Sequence, residues 1–121
     1  VYRFPMTALR LISLALCALP AFTQVTAAIS GTVEDQAGGL VSNAVVTVKS
    51  LETGSSRVTE TDAAGAFRIP SLPLGPQEVS AEKAGFKRAV RTGIDLIVGQ
   101  DLVLNLKLEL GELSQQITLS A

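Results

Sequence analysis

The stretch LVLNLKLEL, Leu102 to Leu110, constrains the fold more than any other part of the chain. Leu102, Leu104, Leu106, Leu108 and Leu110 alternate with Val103, Asn105, Lys107 and Glu109. A period of two puts all five leucines on one side of an extended strand. Shorter runs repeat the pattern: Ile29, Gly31 and Val33; Ala44, Val46 and Val48; Phe67 and Ile69; Val79 and Ala81. Each of these strands is apolar on one face only, as an antiparallel sheet with one solvated face requires, and two such sheets bury their apolar faces against each other. Turn residues fall in the gaps: DQAGG (Asp35 to Gly39) follows the first strand and LETGSS (Leu51 to Ser56) follows the second, both with glycines for positive φ. No segment after the first 27 residues shows a 3.6-residue period. The expectation is an all-β sandwich.

The stretch TDAAGAFRIPSLPLGPQEVSAEKAGF, Thr61 to Phe86, carries the densest punctuation. Asp62 suits an Asx-turn that closes on Gly65 in the left-handed conformation, delivering Phe67 and Ile69 to the core. Pro70, Pro73 and Pro76 lack an N–H, so IPSLPLGP is read as a crossing between sheets rather than an interior strand, with Leu72 or Leu74 as its buried plug. Gly75 lies in this bend. After the strand EVSAEK, the chain turns on Gly85 and returns Phe86 to the interior. The segment reads as the edge of a Greek-key sandwich. Its structurally decisive residues are Asp62, Gly65, Phe67, Ile69, Gly75, Gly85 and Phe86.

The beginning of the chain has a different grammar. Arg3 and Arg10 precede the apolar run LISLALCALPAF, and VTA (Val25 to Ala27) offers small residues to a signal peptidase. The apolar run is short for a membrane span, which needs about 20 residues. Residues 1–27 are therefore read as an export signal, 28–112 as the sandwich domain, and 113–121 as a C-terminal strand or linker. The leader implies export from the cytoplasm. Cys17 is the only cysteine and belongs to the signal.

Past the leader, removing Arg3 and Arg10 from 10 Lys plus Arg leaves 8 basic residues against 11 Asp plus Glu, a net charge of −3. Nucleic acid calls for a basic footprint and is not an expected partner. Lys87, Arg88 and Arg91 form a small basic cluster, read as a solvated strand or turn face. With no His in the chain and no Cys beyond the leader, Ser-His-Asp and Cys-His catalysis are excluded there, as is an ordinary zinc site. A calcium loop at Asp62 would need more oxygen ligands than Ala63, Ala64 and Ala66 supply. No cofactor, metal or enzymatic activity is expected.

In order, ISGTVED, NAVVTV, TDAAGAF, LPLG, AEKAGF and VGQDLVLNLKLELGE resemble the carboxypeptidase regulatory-like domain from Ile29 to about Leu119. That resemblance implies a seven-stranded Greek-key sandwich of the prealbumin or transthyretin-like type, related to collagen-adhesin B-type repeats. The leader before it and LELGELSQQITLSA after it are similar to the N-terminal extension of Oar-like TonB-dependent outer-membrane receptors, where a plug and a β-barrel follow. The resemblance implies a non-catalytic structural or protein-interaction module in the periplasm or outer membrane of a Gram-negative bacterium, or secreted, that meets the outer membrane only through a barrel beyond this sequence. A carbohydrate-binding module and a free-standing secreted adhesion or assembly domain are the alternatives. In the last of these, SQQITLSA would be a donor strand for another chain. Two departures bear on rigidity: Gln77 stands where relatives often carry Tyr at the bend, and VSNA replaces a Pro-Gly turn, with Asn43 able to adopt the left-handed geometry.

Overall fold

The computed structural model describes residues 26–120. The segment read as an export signal, Cys17 included, lies outside the described residues apart from Thr26 and Ala27. Eight strands follow one another: β1 (Ala27–Asp35), β2 (Val45–Ser50), β3 (Ser56–Glu60), β4 (Ala66–Leu72), β5 (Gly75–Glu82), β6 (Arg88–Leu96), β7 (Asp101–Leu108) and β8 (Gln116–Ser120). They build a three-stranded sheet in the order β4-β1-β7 and a five-stranded sheet in the order β3-β2-β5-β6-β8. The pairs β1·β7 and β6·β8 are parallel, and the other pairs are antiparallel. This is the all-β sandwich expected from the alternation, with β8 added to the larger sheet. No helix occurs among the described residues.

One core fills the space between the sheets. Ile29, Val33, Phe67, Ile69, Leu104, Leu106 and Leu108 from the smaller sheet meet Val46, Val48, Val79, Ala81, Ile94 and Leu96 from the larger one. Burying each of the larger side chains contributes roughly 1.5–3 kcal/mol. Gly31 lies between Ile29 and Val33, and an added Cβ there would stand 1.6 Å from the Leu104 carbonyl oxygen. Only glycine permits this close approach of β1 to β7.

The strands depart from the sequence reading at two places. Leu110 does not join the other leucines: β7 ends at Leu108, and Leu110 is 70% exposed. The chain leaves the small sheet there, with Glu109 O accepting from Lys87 N at 2.7 Å and Leu110 bridging to Phe86. IPSLPLGP is not wholly a crossing, because β4 runs through Pro70 to Leu72. The strand tolerates this proline because it lies at the sheet's edge, at an irregularity in the β1·β4 register where Ser71 adopts φ 59°. The passage between sheets shrinks to Pro73 and Leu74, and Leu72 is the buried plug.

Two five-residue turns share one set of bonds. Asp62 Oδ1 accepts from Ala64 N and Ala66 N, both at 2.9 Å, and Asp62 O accepts from Gly65 N at 2.9 Å. Asp35 repeats the arrangement with Ala37 N, Gly39 N and Gly38 N. Their packing differs. A Cβ on Gly38 would meet nothing within 4 Å, whereas one on Gly65 would lie 2.9 Å from Val33 O. The second turn is thus pressed against β1, and beside it the buried Thr61 donates to Val41 O at 2.7 Å and accepts from Ala44 N at 2.9 Å. Asn43, in the preceding loop, has φ 56°.

Gln77 corrects the expectation of a loosened bend. Its side chain is fully buried, and Nε2 donates to Pro73 O at 2.8 Å and Gly75 O at 3.3 Å. The amide ties down the turn that a tyrosine hydroxyl would otherwise hold, although its Oε1 has no partner.

Candidate interaction site

The residues singled out from the sequence lie in turns and in or against the core. Phe67 and Ile69 are buried in β4. Gly65, Gly75 and Gly85 have φ of 72°, 99° and 91°, and Asp62 closes its turn as described above. Phe86 is half-buried against one end of the core. They are spread along the turns and the core, and do not converge on one cleft. Among the described residues no group of three or more acidic, His or Cys side chains could hold a metal ion, and no helix is long and apolar enough to cross a membrane.

The more informative geometry lies at the lateral edges. On one side β3 and β4 come together, and Arg57 joins them across the gap, donating from Nη2 to Pro70 O at 3.0 Å and from Nη1 to Ser71 O at 3.3 Å. On the other side the sheets do not end together. β7 packs across the core from β5 and β6, but the larger sheet continues one strand further, to β8. Among the described residues, the inner face of β8 therefore has no strand opposite it.

A cleft of about 360 Å³ occupies that position, between Leu106 and Lys107 of β7 and Ala89, Arg91, Ile117 and Leu119 of the larger sheet. Ala89 pairs with Ile117 and Arg91 with Leu119 in the β6·β8 ladder. Ala89 and Arg91 also pair with Ala81 and Val79, both completely buried. Side-chain alternation consequently turns Ala89, Arg91, Ile117 and Leu119 inward. Arg91 is a half-buried cation on an otherwise apolar floor, and its Nη2 donates to Asn105 O at 3.3 Å. At the far end Gln36 Nε2 donates to Glu109 Oε1 at 3.1 Å.

The basic cluster read from the sequence is split by the strand's two faces. Arg88 projects outward, where its Nε lies 2.8 Å from Glu82 Oε1, an ion pair too poorly aligned to count as a hydrogen bond, and its Nη1 donates to Gln116 Oε1 at 2.9 Å. Arg91 turns inward. Immediately after it, the register of β5·β6 shifts opposite Glu78, so Ile94 and Leu96 are the next inward residues. The segment expected as a donor strand for another chain is paired within its own chain as β8, whose outer edge pairs with no other strand among the described residues.

A two-sheet sandwich with one stitched edge and one open edge is the architecture of a small all-β module. The chain belongs to the carboxypeptidase regulatory-like domain family, whose model matches residues 28–109. Over 88 residues it is 32% identical to the TonB-dependent transporter Oar of Myxococcus xanthus, a match covering 73% of this chain and 8% of the transporter. The chain thus spans less than a tenth of that relative's length. Among solved structures, the TIE protein of Bacillus anthracis superposes with a TM-score of 0.60 at 22% identity, covering 71% of this chain and 17% of that one. A Bacteroides uniformis protein described as carbohydrate-binding superposes with a TM-score of 0.54 at 22% identity, covering 69% and 41%. At these identities the two structural likenesses speak to the fold alone.

Proposed function

We propose that this chain is the N-terminal, periplasm-facing extension of a TonB-dependent outer-membrane transporter, exported by residues 1–27 and acting as a non-catalytic protein-interaction module. The observation that carries this reading is the 32% identity to the Oar transporter over 73% of the chain. The family match adds the regulatory-like domain, and the open sheet edge supplies a surface suited to protein contacts. In this reading residues 28–112 are the sandwich domain, 113–121 add β8 to its larger sheet and lead towards a plug, and membrane insertion belongs to a barrel encoded further on. The test is to sequence the DNA beyond the Ala121 codon and probe outer-membrane fractions for protein bearing this sandwich. A frame continuing into a plug and barrel, with the long product in the outer membrane, is the expected result. A stop codon at that point, with only a short soluble product, would overturn it in favour of a free-standing secreted module.

Carbohydrate binding is a second reading, prompted by the description of the Bacteroides uniformis protein that shares this fold. Sugar recognition commonly uses exposed aromatic faces. Among the described residues the aromatic side chains are Phe67, which is 5% exposed, and Phe86, which is half-buried. Pull-down on plant and bacterial polysaccharides separates the readings: retention on any of them would favour the carbohydrate module.

A further inference from the structure

The vacant position beside β7 is one strand wide. The small sheet ends at β7, while the large sheet runs on to β8 beneath the place where a fourth strand of the small sheet would lie. Pairing with β1 uses one side of β7. Gly31's close approach to Leu104 O places the Leu104 carbonyl on the β1 side, and Asn105 O points the other way, towards Arg91. In an extended strand successive residues alternate the side to which N–H and C=O point. Val103, Asn105 and Lys107 therefore present their backbone groups to the vacant position.

We propose that this free edge of β7 takes one extended segment of a partner protein, which lays apolar side chains on Ile117 and Leu119 and sets a carboxylate against Arg91. The inference rests on the interaction-module reading and deepens it by naming the surface and the partner's chemistry. Charge selects the acidic segment. Arg91 is half-buried on the slot floor, and the ion pairs found among the described residues, Arg68–Asp101 and Glu82–Arg88, do not involve it. A hydrogen-bonded carboxylate compensates such a partly desolvated cation. Shape selects a single strand over a second copy of the sandwich. If two copies joined β7 to β7 about a two-fold axis, each β8 would need the space filled by the other copy's β6. An added single strand does not meet that obstacle. Its backbone continues the ladder, and its inward residues face the cleft.

The test uses ¹⁵N-labelled protein and a capped nonapeptide of alternating valine and threonine with a central glutamate, alongside versions with glutamine or lysine at the centre. The expected result is slowed amide exchange at Val103, Asn105 and Lys107, with about tenfold weaker binding of the glutamine peptide and none of the lysine peptide. Arg91→Gln should bring the glutamate and glutamine peptides to equal affinity. Leu119→Ser, at a half-exposed position, should weaken both peptides without changing the fold. Equal binding of the glutamate and lysine peptides, or no binding, overturns the proposal. Protection of the same amides in protein alone, with a doubled mass in sedimentation, would assign the edge to a second copy and overturn it too. Perturbation confined to β3 and β4 would remove this slot while leaving the interaction-module reading intact, and that reading fails separately on the downstream DNA.

Discussion

The two lateral edges of the sandwich meet the same problem with different chemistry. Any sheet edge leaves backbone N–H and C=O groups unpaired and invites another strand. At the β3/β4 edge, Pro70 removes a donor, the register irregularity with Ser71 at φ 59° interrupts the ladder, and Arg57 occupies two carbonyls. At the β7/β8 edge, β7 is regular and proline-free, and one side chain, Arg91, reaches one carbonyl. An inward-pointing charge can itself guard an edge, so Arg91 hinders an uncharged strand while suiting an acidic one. Both sheets are built from similar alternating sequence; the difference arises from where the sheets end relative to each other.

The largest predicted effect removes the contrast altogether. Gly31→Ala would drive a Cβ from β1, the strand from which both β4 and β7 hang, into the Leu104 carbonyl of β7. A loss of more than about 3 kcal/mol is expected in urea unfolding, in line with severe core disruptions. Unchanged stability would mean that β1 and β7 do not approach so closely.

Gly65→Ala should cost about 2–3 kcal/mol, combining a left-handed-backbone penalty of roughly 1–2 kcal/mol with the contact on Val33 O. Gly38→Ala, in the sister turn with open space around it, should cost only that backbone penalty, about 1 kcal/mol. Equal losses in the two variants would show that the second turn is not pressed against β1 beside the stitched edge.

Arg57→Ala sharpens the contrast between the edges themselves. Removing two exposed bonds to carbonyls should lower stability by about 1 kcal/mol and speed amide exchange in β3, with β7 and β8 unaffected. Exchange that rises equally at both edges would indicate general loosening rather than an opened stitch. The smallest effect is expected for Leu119→Ser, within about 0.5 kcal/mol of the parent, because that side chain is 54% exposed on the uncovered face of β8. A loss several times larger would show that the slot is already a packed part of the core.

The frame was legible in the sequence wherever the signal was local. Leu102 to Leu108 announced an inward face through alternation alone, and TDAAG announced its Asx-turn because Asp supplies the acceptor and Gly the positive φ. The sister turn at Asp35 was read only through its glycines, although it carries the same acceptor. The open edge was not legible. Arg91 adjoins Arg88 in a short basic run, and only the pairing of Ala89 with the buried Ala81 turns Arg91 inward while Arg88 stays outside. Leu110 continues the alternation in sequence, yet the chain has already left the sheet. Nothing local distinguishes a strand that pairs in parallel with its own chain from one offered to another, so QITLS could be read as a strand without its partner being known.

The most direct measurement of the central claim is residue-resolved amide hydrogen exchange along β7 in the protein alone. An open edge predicts alternation, with Leu104 and Leu106 amides protected by their bonds to β1 and those of Val103, Asn105 and Lys107 exchanging far faster. Uniform protection along Asp101–Leu108 would contradict it, because both sides of β7 would then be paired and no vacant strand position would exist.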